Sequence, residues 1–204
     1  MGAFDIAARR AADTLTTPYD PAMGRGGHSD DEATPYDQSI EEVEFMRGAC
    51  AAAQRGDLGC LKGIIDRRPK LLADDGVGGA SGYTPLHYAS REGHLDCVTF
   101  LIKQGARVDQ STSSGNATAL HRAAYTGQVK VVKALLAAGA DALLRDADNE
   151  TPLHKGCAFG SVGCVEVLLE ACPDARYVKD RHGETPLERI PKDAAATRAA
   201  FDRF

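Results

Sequence analysis

The sequence predicts an all-α solenoid of stacked helix-turn-helix units with projecting turns. Three observations predict it. A motif, Thr84-Pro85-Leu86-His87, returns as Thr118-Ala119-Leu120-His121, as Thr151-Pro152-Leu153-His154 and, altered, as Thr185-Pro186-Leu187-Glu188, with steps of 34, 33 and 34 residues. Nine residues after each of the first three motif threonines stands a glycine: Gly93, Gly127 and Gly160. Seventeen and eighteen residues after them comes an apolar pair: Leu101-Ile102, Leu135-Leu136 and Leu168-Leu169. A fixed period of this size marks units that cannot bury their apolar face alone and must stack.

The amino-terminal stretch stands apart. Gly, Pro, Asp, Ser and Thr dominate residues 13–39, so residues 1–39 are expected to be a disordered acidic tail. Residues 1–47 hold four Arg against ten Asp and Glu, a charge of −6 within the chain's −5. Thr17-Pro18-Tyr19-Asp20 recurs as Thr34-Pro35-Tyr36-Asp37. A pair of Pro turns accounts for it, and a duplicated docking or phosphorylation motif is the alternative.

Ser39 and Glu42 form a capping-box pattern, which places the start of the folded domain near residue 40. Gly56 and Ile64-Ile65 fit the glycine and apolar slots one repeat early, which makes Arg47–Cys50 a degenerate motif. The grid therefore gives repeats over 47–79, 82–115, 116–148 and 149–182, and a partial capping repeat over 183–204. Gly76-Val77-Gly78-Gly79-Ala80 reads as a flexible insertion. Two residues before each motif Thr stands Gly82, Asn116, Asn149 or Gly183, the types that tolerate positive φ in a tight turn. Thr then caps the first helix, Pro fits its first turn and Leu enters the core. Asp57 and Ser161 are expected to cap second helices; Gly105-Ala106 and Gly139-Ala140 end them. Cys172-Pro173 departs from that pattern and is expected to bend the end of the fourth repeat. Pro191 and residues 192–204 are expected to form a carboxyl-terminal cap.

A Thr-Pro-Leu-His motif at this period resembles the ankyrin repeat. The resemblance covers roughly residues 38–190 and includes Gly82–His94, Ala117–Ala123 and Thr151–Lys155. It implies that the motif histidines bond the turn of an adjacent repeat. It also implies that turn tips and the solvent side of the first helices build a concave binding face.

The histidines do not read as a metal site. His87, His121 and His154 share one slot, so neighbouring copies stand about one helix-packing distance apart, ~8–10 Å, whereas zinc ligands lie within ~2.1 Å of one ion. Cys60, Cys97 and Cys164 share a slot with Val131, which reads as an apolar core position of the second helix. Cys157 falls at another small packed position, and Cys50 and Cys172 remain as candidate reactive thiols. No phosphate loop, nucleophile elbow or His-Glu-x-x-His pattern is present, so neither enzyme activity nor a cofactor is expected. The negative net charge argues against nucleic acid as a partner. No apolar run approaches the ~18–20 residues that cross a bilayer, so no membrane partner is expected.

The expected function is protein-protein interaction by an adaptor or scaffold, with an unidentified protein in the groove. Seven and eight residues after the motif threonines stand Arg91 and Glu92, Tyr125 and Thr126, and Ala158 and Phe159. The turn tips include Tyr83, Asp148 and Glu150. Tyr83, Arg91, Glu92, Tyr125, Asp148, Glu150 and Phe159 are the candidate protein-binding residues, since aromatic and Arg anchors dominate interface energetics. The alternative is a scaffold whose groove is gated by the acidic tail, acting on Arg91, Arg122 and Lys155, or by a surface thiol. A monomer in the cytoplasm is expected, with the nucleus as the other compartment.

Overall fold

A computed structural model describes residues 40–67, 72 and 82–204, with side chains from residue 48 onward. The expected tail, its duplicated Thr-Pro-Tyr-Asp motif, Ser39 and the Gly76–Ala80 insertion lie outside the described residues. Among the described residues there are helices and turns and no strand. The helices are α1 (Ile40–Arg55), α2 (Leu58–Arg67), α3 (Pro85–Glu92), α4 (Leu95–Lys103), α5 (Ala119–Tyr125), α6 (Val129–Ala137), α7 (Pro152–Phe159), α8 (Val162–Ala171) and α9 (Ala195–Asp202). Two 3-10 helices, Pro173–Tyr177 and Pro186–Arg189, fall between α8 and α9.

First helices pack on first helices, α1 on α3 on α5 on α7, and second helices form a parallel layer, α2 on α4 on α6 on α8. The core lies between the layers. The motif leucines Leu86, Leu120 and Leu153 enter it, and Leu61, Leu101, Leu135 and Leu168 meet them from the second helices. Each fully buried leucine contributes roughly 1.5–3 kcal/mol of transfer free energy. That burial is made partly within each hairpin and partly between neighbouring units, so the stacking contacts add to the stability along the chain.

The turns before the first helices take the conformation that the Gly and Asn slots predict. Asn116 has φ 50° and Asn149 φ 57°, the two non-glycine positive values among the described residues, and Gly82 and Gly183 have φ 67° and 79°. The turns are stitched across repeats: the Ala147 N–H donates to the Gly115 carbonyl and the Arg181 N–H to the Asp148 carbonyl, each at 3.0 Å. Within the turns, Asp146 Oδ1 accepts the Asp148 and Glu150 N–H groups, and Asp180 Oδ1 accepts those of His182 and Glu184. Asp57 and Ser161 cap second helices by accepting the Cys60 and Cys164 N–H groups.

Three features differ from the regular grid. First, α1 runs unbroken through the Arg47–Cys50 slot. That slot has neither the Thr that caps α3, α5 and α7 nor the Pro that starts α3 and α7. Second, Cys60 is exposed, whereas Cys97, Val131 and Cys164 in the same slot are buried. Among the described residues no second helix precedes α2 to cover that slot. Third, the last motif forms a short 3-10 helix. Pro191 disfavours helical geometry at Ile190, whose ψ is 124°. The polar-looking segment after it contains α9, which closes the stack with Phe201 (2% exposed) and Ala200. Thr197 Oγ1 donates to the Gly160 carbonyl at 2.6 Å and Arg176 lies over the Phe201 ring. Cys172-Pro173 ends α8, and the chain turns there into the first 3-10 helix.

Candidate protein-interaction groove

The motif histidines are buried and tie each first helix to the turn of the next repeat. In His87, His121 and His154, Nδ1 accepts the N–H of the motif threonine at 3.1–3.2 Å. An Nδ1 that accepts carries no proton, so Nε2 does, and it donates to the carbonyl of Ala117, Glu150 or Glu184 in the next repeat. Burial disfavours the charged imidazolium and pushes His87 and His121 down to about 4, and His154 downward too. Glu188 keeps only the near half of this arrangement. Its carboxylate accepts the Thr185 N–H and hydroxyl, with no histidine reach to a further turn.

Between turn tips and first helices lies a cavity of about 320 Å³, lined by residues that include Ala117, Arg122, Tyr125, Asp146, Asp148 and Lys155. Two of the sequence-predicted residues, Tyr125 and Asp148, meet there. Tyr125 is 55% exposed, and Asp148 pairs with Arg181 at 2.7 Å. The others do not line it. Arg91 and Glu92 are exposed and face each other at 3.7 Å. Tyr83 is half-buried; its ring contacts His87 and Tyr88, and the Arg122 guanidinium sits 4.9 Å from its centroid. Phe159 is 56% exposed, but its ring covers Gly127. A Cβ on Gly127 would fall 2.6 Å from Phe159 Cε1, so the ring would have to move aside, and the φ of 74° at Gly127 itself favours glycine. The ring pairs among the described residues are Tyr83–His87 and Tyr83–Tyr88, so Tyr125 and Phe159 do not stack on each other.

Glu150 occupies a different environment from the turn tip expected of it. It is 5% exposed and pairs with Lys155 and Arg189. Lys155 also pairs with Asp146 at 2.7 Å, and Arg189 with Glu184 at 3.3 Å. Burial alone would raise the Asp146 carboxyl; the Lys155 ammonium and the Glu150 N–H outweigh it and hold it low. Asp146, Asp148 and Glu150 bring carboxylate oxygens within 4.8 Å of one another, but the cations already beside them are Lys155, Arg189 and Arg181.

The residues that sequence reasoning placed less well are the cations four positions after the motif threonine: Arg122, Lys155 and Arg189. Arg122 and Lys155 line the cavity, whereas Arg91 does not. The signal was available, because positions four and seven or eight on a helix share one face.

The thiols separate by exposure. Cys97, Cys157 and Cys164 are buried, and burial pushes Cys157 up to about 12. Cys50 is half-buried, donates to the Tyr83 carbonyl at 3.7 Å, and is pushed up to about 11 by burial. Cys172 is half-buried and Cys60 exposed.

A layered helical repeat with a groove between turns and first helices defines a repeat-scaffold protein of the interaction class. Families described as "Ankyrin repeats (3 copies)" and "Ankyrin repeat" match residues 49–146 and 148–177. The chain belongs to the ankyrin-repeat family, whose general role is protein-protein interaction. It is 43% identical over 75 residues to human ankyrin repeat domain-containing protein 39, a match covering 37% of this chain and 39% of that protein. The Bos taurus protein of the same name is 44% identical over 57 residues, 28% of this chain and 29% of that one. Mouse ankyrin repeat and SAM domain-containing protein 6 is 30% identical over 143 residues, 70% of this chain and 15% of that protein. The matches thus span well under half the length of these relatives. No described helix is long and apolar enough to cross a membrane.

Proposed function

We propose that this chain is a non-catalytic binding module that holds a protein partner in the groove centred on Tyr125, with Arg91, Glu92, Asp148 and Phe159 around it. The observation that carries this reading is an aromatic side chain more than half exposed at the mouth of a cavity that also holds Arg122 and Asp148. Aromatic and Arg anchors beside a desolvated pocket are where binding energy concentrates. Glu150 is left out of the contact surface, because its carboxylate is committed to Lys155 and Arg189. The chain acts as a monomer in the cytoplasm or nucleus. The test is affinity capture by the full chain and by Tyr125→Ala with Phe159→Ala, alongside their melting temperatures. Loss of a partner at an unchanged melting temperature supports the groove; retained binding overturns it.

A second reading, gating by the acidic tail, is favoured by the segregation of charge, −6 in residues 1–47 against +1 in residues 48–204. Deleting residues 1–37 should then increase partner binding or speed hydrogen exchange in α3, α5 and α7. No change in either discards the gate.

A further inference from the structure

Comparing slots along the repeats isolates one cation. Four residues after the motif Thr stand Arg122, Lys155 and Arg189; one residue before it stand Ala117, Glu150 and Glu184. Lys155 pairs with Glu150 of its own repeat. Arg189 pairs with Glu184 of its own repeat and with Glu150 of the one before. By the same geometry Arg122 would take its carboxylate from position 117, where alanine stands, or from position 83, where the Tyr83 ring stands 4.9 Å away. Arg122 pairs with no carboxylate among the described residues, and its Nε is shut off from solvent with no hydrogen-bond partner. The side chain missing at Ala117 is matched by space, since both residues line the cavity of about 320 Å³. Liquid water occupies ~30 Å³ per molecule, so this is room for far more than one water.

We infer that this cavity receives an Asp or Glu side chain from a peptide segment of the bound partner, which takes the place beside Arg122 that Glu150 and Glu184 fill in the next repeats. The inference rests on the groove reading above. A guanidinium presents a planar fork that a carboxylate meets with two parallel hydrogen bonds. Tyr125, at the cavity mouth, offers an aromatic surface to the residue beside the acid. The two acids that border the cavity do not compete for Arg122: Asp146 is held by Lys155 and Asp148 by Arg181, each at 2.7 Å. They do limit the charge that can enter. A carboxylate brings one negative charge, whereas a phosphate brings ~1.5–2.

The test selects random linear peptides against the full chain, with the peptides displayed between two coat-protein domains so that neither end is free. Selected sequences should carry Asp or Glu beside an apolar or aromatic residue, and a synthetic copy with an amidated carboxyl end should still bind. Arg122→Gln should weaken that copy by about tenfold or more, the usual cost of losing a charged hydrogen bond. Ala117→Glu installs the carboxylate that the slot holds elsewhere; it should weaken binding similarly while preserving or raising the melting temperature. The inference is overturned if no peptide is enriched, if the enriched peptides lack acids, or if binding survives either substitution. Loss of binding on amidation alone overturns the side-chain source in favour of a chain terminus. If Tyr125→Ala with Phe159→Ala weakens binding and Arg122→Gln does not, the groove stands and this inference fails. If none of these substitutions matters, both fail.

Discussion

His121 ties two repeats together through one imidazole, with Nδ1 3.2 Å from the Thr118 nitrogen and Nε2 3.0 Å from the Glu150 carbonyl oxygen. The ring caps its own helix on one side and holds the next turn on the other. His87 and His154 do the same one repeat to either side. His121→Ala should cost about 3 kcal/mol or more, because it leaves a cavity and two buried backbone groups without partners. Denaturant unfolding of the variant reads that loss.

The same histidines make stability depend on pH. Their folded pKa values lie below the ordinary value of 6.5, at about 4 for His87 and His121, so between these values the unfolded chain binds more protons. The stability they contribute is present above pH 6.5 and is lost as pH falls towards 4. Each contributes a slope of up to about 1.4 kcal/mol per pH unit in that window. The Asp146 and Asp180 carboxyls, also held low, lose their contribution only as pH falls below their unfolded range. The unfolding midpoint measured from pH 7.5 to 4.5 should therefore decline, and removing one histidine should flatten the decline.

Asn149 carries a positive φ of 57° in an exposed turn. Asn149→Gly should leave stability unchanged or slightly raised, and Asn149→Val should lower it by roughly 1–2 kcal/mol. Thermal unfolding of the pair distinguishes backbone geometry from lost side-chain contacts.

Lys155→Met should destabilise strongly, by roughly 3–5 kcal/mol, because Asp146 and Glu150 then lose a shared cation in a buried setting. Its double variant with Glu150→Gln should recover part of the loss. Chemical denaturation of both proteins checks the coupling between them.

Thiol labelling of the native protein should modify Cys60 first and leave Cys97, Cys157 and Cys164 unmodified until the chain unfolds. Cys50 should label slowly, since burial holds its thiol protonated at ordinary pH. Rapid labelling of Cys50 would revive a thiol switch at Tyr83.

Most of the scaffold was legible in the sequence, because each repeat pays for its fold with local signals. Asn116 and Asn149 mark positive φ, the motif Thr and His mark the cap, and Leu86, Leu120 and Leu153 mark the core. The ends were less legible. Nothing local forces a break at Arg47–Cys50, so α1 runs through it, and α9 packs through Phe201 and Ala200 in a segment that reads as polar. The groove was legible only in part. Tyr125 follows from counting along a helix, whereas the burial of Glu150 depends on Arg189, 39 residues away. Cys60 differs from its slot because it lacks a neighbour, which is a property of the stack and not of the residue.

The central claim is that a protein partner sits over Tyr125. The most direct measurement is photo-crosslinking of the bound partner from a benzophenone amino acid placed at position 125, and separately at Lys133, an exposed site on the second-helix layer. The account predicts a crosslink from position 125 and none from position 133. A crosslink from position 133 with none from position 125 would contradict it.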